Sequence, residues 1–110
     1  MSVKILQFIV DSSFEINEIK NQIDNSVKIL GLEYLYEKVS SITDAIGNNI
    51  TIDMLSSARE LLESIKRAKQ YLAQTDISKF NACVSIGIDA TVFFLLSLRQ
   101  LISSVEVSNV

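Results

Sequence analysis

The 110-residue sequence predicts an all-α fold, an up-and-down bundle of about four helices over approximately residues 3–30, 32–46, 52–74 and 77–105. Three observations predict it. Proline is absent, so nothing along the chain removes a backbone donor and bars a helix. Apolar side chains recur at steps of three and four almost from end to end, the spacing that gathers them on one side of a 3.6-residue turn. The punctuation is sparse: Gly31, then Gly47-Asn48-Asn49, then Thr75-Asp76. No linker, composition shift or internal repeat divides the chain, which reads as one domain spanning 1–110. A hydrophobic share of 48% against 21% charged is enough for a core without disulfides or metals.

In the first helix Ile5, Ile9, Ser12, Ile16, Ile19, Ile23 and Leu30 form a stripe interrupted by small polar residues, and Gly31 is positioned to end it. Ser12-x-x-Glu15 is a competing signal, because this capping-box spacing can start a helix near residue 13. The β-branched run Val3–Val10 would then be a separate element, a strand with only Val105–Val110 or another chain to pair with. One helix from residue 3 is the preferred reading. The second helix aligns Leu32, Leu35, Tyr36, Val39, Ile42 and Ile46, and the glycine-asparagine run breaks it. Thr51 or Asp53 can cap the third, whose stripe is Met54, Ala58, Leu61, Ile65, Ala68 and Leu72. Its other side carries Arg59, Glu60, Glu63, Lys66, Arg67 and Lys69, a solvated face with Arg59/Glu63 and Glu63/Arg67 at pairing distance. The fourth helix has one stripe of Ile77, Asn81, Val84, Ile88, Thr91, Leu95, Leu98, Ile102 and Val105. A second consists of Ile86, Ala90, Phe93, Phe94 and Leu101.

Missing residue types exclude much chemistry. Without histidine there is no Ser–His or Cys–His nucleophile pair and no histidine-based metal site. The single cysteine, Cys83, cannot close an internal disulfide and reads as a small buried hydrophobe. The three glycines are too scattered to cradle a phosphate. Glu33 and Glu37, with Tyr34 and Tyr36 between them, read as a solvated surface, not an acid–base pair. The expectation is therefore a non-enzymatic chain with no cofactor and no metal. No residue pattern identifies a family.

The net charge is −3, which argues against nucleic acid as a partner. Residues 1–55 hold four lysines against eight acids, and residues 56–110 six bases against five acids. An acidic front beside a mildly basic rear suits protein partners. No secretory signal or lipidation motif is recognisable, and the expected location is cytoplasmic.

Function concentrates in the fourth helix. Between Phe80 and Leu98 Asp89 is the single charge, so residues 80–98 reach the length of a membrane span. Burial in a soluble assembly is preferred, because Asn81, Ser85, Thr91 and Ser97 dilute the segment and the other helices have charged outer sides. Asp89 either points outward or pairs with Arg59, Lys66 or Arg67, or else it is a buried contact that sets helix register. Phe93-Phe94-Leu95-Leu96 puts four bulky groups around the helix, more than a one-sided core can take. Asp89, Phe93, Phe94 and Leu101 are the candidate interface, and Phe94→Glu is expected to disturb assembly before fold. The leading function is a protein–protein interaction module, a small regulator, adaptor, chaperone or immunity-type protein, that forms a homo-oligomer or docks a protein partner. The alternative is a membrane-associated helical protein using residues 80–98.

Overall fold

The described residues form four helices, α1 (Val3–Asn21), α2 (Asn25–Ile46), α3 (Ile52–Ala73) and α4 (Ile77–Ser108), with a 3-10 turn, Gly47–Asn49, after α2. The structure, a computed structural model, describes residues 3–108, and side chains through Ser104. The all-α bundle is as expected. Val3–Val10 is helical, so the capping-box alternative at Ser12 does not operate. Ser12 is instead fully buried in the middle of α1.

The boundary between the first two helices differs from the expectation. The first break falls at Gln22–Asp24, not at Gly31, and the helix expected over 3–30 is divided there. Side-chain chemistry explains the site. Gln22 Oε1 accepts hydrogen bonds from the Ile23 and Asp24 backbone N–H groups at 3.0 and 3.2 Å, which supports an irregular turn. The Asp24 carboxylate then accepts from Ser26 N–H at 2.9 Å and caps α2. Gly31 does not end a helix; it is buried within α2 at the crossing with α1. A Cβ there would lie 2.5 Å from Ile19 Cγ1 and 2.8 Å from Glu15 Oε1, so its missing side chain lets the two helices approach.

The later boundaries, except the end of α4, follow the sequence. Gly47 closes α2 at φ 63°, and its N–H donates to Thr43 O. Of the two cap candidates Thr51 acts, its hydroxyl accepting from Met54 N–H at 3.2 Å. At the end of α3, Thr75 N–H donates to Leu72 O and Asp76 N–H to Tyr71 O, at 3.0 and 2.9 Å. This is a Schellman closure. It holds Thr75 at φ 58°, a left-handed conformation that a β-branched residue adopts only at a cost. Asp76 accepts from Lys79 N–H at 3.2 Å and starts α4. The helix expected to stop near 105 continues to Ser108.

Each helix packs on its neighbour across a short connection, and α3 with α4 is the most extensive pair. Small residues are buried on both helices, Ser57, Ser64 and Ala68 on α3 and Cys83, Gly87, Ala90 and Thr91 on α4. A Cβ on Gly87 would meet Ser64 Oγ at 2.6 Å and Leu32 Cδ2 at 3.0 Å. Ser64 and Thr91 hydroxyls donate back to Leu61 O and Gly87 O, so neither is orphaned. Leu32, Leu35, Val39, Met54, Leu61, Phe80, Phe94 and Leu98 are fully buried and form the centre of the core. The particle is elongated, 54 × 23 × 17 Å, because 32-residue α4 alone extends about 48 Å at 1.5 Å per residue.

Candidate interaction surface on α4

The α4 helix has two faces of different character. Toward the bundle it buries Phe80, Val84, Gly87, Ile88, Thr91, Phe94 and Leu98. Phe94 is sealed there, with its ring edge-on to Phe8 of α1 at 5.8 Å and 81°. The opposite side carries Ala82, Ser85, Ile86, Asp89, Val92, Phe93, Leu96, Gln100 and Ser103, all exposed. Its bulky members are 41% (Ile86), 38% (Val92), 62% (Phe93) and 47% (Leu96) accessible. A helix advances 100° per residue, which is why adjacent Phe93 and Phe94 have opposite fates.

The four candidate interface residues therefore separate. Phe93 and Asp89 lie on the outer face, as an interface requires. Phe94 does not: it is a core residue, because its position falls on the same arc as Phe80, Gly87 and Leu98. Leu101 is half-buried and packs against the core, so it too leaves the surface patch. Asp89 is exposed and forms no ion pair among the described residues, and neither Arg59, Lys66 nor Arg67 reaches it. That excludes a buried register contact within the bundle. Arg99, ten residues further along α4, is likewise exposed and unpaired among the described residues.

Other charged groups have ordinary surroundings. Glu33 binds Lys69 of α3 at 3.0 Å, an exposed pair worth at most about 1 kcal/mol. Of the charges along α3, Glu63 pairs with Lys66 at 3.6 Å, not with Arg59 or Arg67. Lys38 lies over Tyr34 and Lys79 over Tyr71, 5.2 and 5.6 Å from the ring centres. Burial, with the nearby Glu18 adding to it, raises the Glu15 carboxyl above its usual range. Among the described residues no group of three His, Cys, Asp or Glu side chains could hold a metal ion. Cys83 is buried and free. An open groove of about 390 Å³ between α1 and α2 has Lys4, Asp11 and Lys38 at its rim, and a second, of about 480 Å³, lies between α2 and α3 beside the Glu33–Lys69 pair. Ser41 lines the first groove and Ser40 the second, and among the described residues neither hydroxyl is hydrogen-bonded to the acidic or basic side chains beside it.

Sequence reasoning missed a second exposed apolar line. Val3, Leu6, Val10 and Phe14 lie on the outer side of α1, 82%, 53%, 55% and 65% accessible. Their steps of three, four and four are visible in the sequence, but the inner stripe on the same helix masks them. The chain matches no protein-family model, no curated protein and no solved structure.

Proposed function

We propose that the protein is a non-enzymatic interaction module that binds protein through the outer face of α4. The observation that carries this reading is the line of Ile86, Val92, Phe93 and Leu96 on the side of α4 away from the core. Large apolar groups held in a row on a rigid helix are a surface built to be covered. The sequence offers no competing chemistry: there is no histidine, and the one cysteine is sealed. A cytoplasmic setting accords with a free thiol.

A second reading is membrane association. Ile77–Ser104 is long and apolar enough to cross a bilayer, with a mean hydropathy of 1.7 in its most apolar window, of which 44% is buried. Two features favour protein over lipid. Asp89 sits near the middle of the outer face, where contact with hydrocarbon would cost about 2.5–3.5 kcal/mol. Along α4 lies α3, whose exposed Arg59, Glu60, Glu63, Lys66, Arg67 and Lys69 would have to enter the bilayer with it in this fold.

The test is Phe93→Glu, read by size-exclusion chromatography with light scattering and by circular dichroism. The expected result is loss of assembly, or of a bound partner, with helicity intact. Unchanged assembly with an intact fold would refute the interface.

A further inference from the structure

The outer face of α4 is complementary to itself. Ser85, Asp89, Val92, Leu96, Arg99 and Ser103 are spaced by alternating steps of four and three, the seven-residue repeat that keeps a seam facing a second helix. Read backwards, the series is nearly the same: small, charged, apolar, apolar, charged, small. An antiparallel pair of these helices with its two-fold axis beside residue 94 sets Val92 against Leu96, Asp89 against Arg99 and Ser85 against Ser103, each contact occurring twice. Both charges are exposed and unpaired among the described residues, so each is available to the other copy.

We propose that α4 pairs antiparallel with α4 of a second copy of this chain, in the register that places Asp89 against the partner's Arg99. This rests on the reading of α4 as an interaction surface and names its occupant. Charge selects the orientation. A parallel pair would stack Asp89 on the partner's Asp89 and Arg99 on the partner's Arg99, like charges beside an apolar seam, which is unfavourable. The antiparallel register converts the same four charges into two opposite pairs. Phe93, at the edge of the seam, covers the apolar centre from one side. The small side chains of Ser85 and Ser103 let the helix ends approach.

Two experiments on the full chain test this register. In sedimentation equilibrium, Asp89→Arg and Arg99→Asp should each weaken the dimer about tenfold, because each turns two attractive pairs into repulsive ones. The double variant Asp89→Arg/Arg99→Asp restores both pairs and should return to within about threefold of the parent. Spin labels on exposed Ala82→Cys, in a Cys83→Ala background, should be about 36 Å apart along the axis in the antiparallel pair, but about 10 Å apart in a parallel one. A double variant as weak as the singles, or labels at the shorter distance, overturns the register while leaving α4 as the interface. A parent chain that is monomeric at every concentration overturns self-pairing. The broader reading then stands or falls on whether Phe93→Glu abolishes binding of another protein.

Discussion

Phe93 and Phe94 differ by 100° around one helix, and that rotation separates an exposed residue from a core residue. Truncating Phe94, fully buried against Phe8, should cost about 3–5 kcal/mol in urea unfolding, whereas Phe93→Ala should change monomer stability by no more than about 0.5 kcal/mol. Equal effects would contradict the assignment of faces. Phe94→Glu, contrary to the expectation from sequence, would bury a charge in the core and should unfold the protein. Glu15 tests a different residue-scale effect. Its folded carboxyl titrates above the unfolded one because burial and Glu18 disfavour the charge, so ionisation costs stability at neutral pH. Glu15→Gln should therefore be more stable than the parent at pH 7. The advantage should fade as pH falls below the usual carboxylate range, where the parent is protonated in both states. A difference independent of pH would assign the effect to packing over Gly31 instead. Ser12 has no such titration, but its buried hydroxyl is the one buried side-chain polar atom without a partner among the described residues. The sequence could not single it out, because a serine within an apolar stripe looks the same whether its hydroxyl is satisfied or not.

At the scale of elements, the sequence revealed helices better than it revealed helix contacts. The stripe of α3 was legible because its apolar and charged residues occupy opposite arcs, and residue type narrowed its cap to Thr51 or Asp53, of which Thr51 acts. The α1–α2 break was not. Gly31 has the chemistry of a helix stop, and only its nearness to Ile19 and Glu15 reveals a glycine retained for close approach. Gln22 and Asp24 supply the actual stop through side-chain bonds that no hydrophobic period encodes. Gly87 plays the matching role between α3 and α4. Gly87→Ala gains about 1 kcal/mol of helix propensity but forces a methyl onto Ser64 Oγ, and a net loss of about 1–2 kcal/mol is expected on chemical denaturation. Adding Ser64→Ala removes the nearest obstacle and should recover part of that loss. No recovery would place the conflict at Leu32.

For the whole molecule, the decisive feature is that a 32-residue helix runs most of the length of a 54 Å particle with only one side covered. The excess of apolar residues on that helix was legible in the sequence. Which of them remained outside was not, because it depends on where α1, α2 and α3 lie against it. The three shorter helices, of 19, 22 and 22 residues, bury one arc of α4 and leave Ile86, Val92, Phe93 and Leu96 to a further element. That element is expected to be a second copy of the chain. The most direct measurement is the solution mass of the parent protein, prepared without detergent and followed by light scattering over a range of concentrations. A species of twice the 12.3 kDa chain mass, dissociating on dilution, is the predicted result. A constant 12.3 kDa, or protein recovered only in detergent, would contradict pairing of α4 with itself.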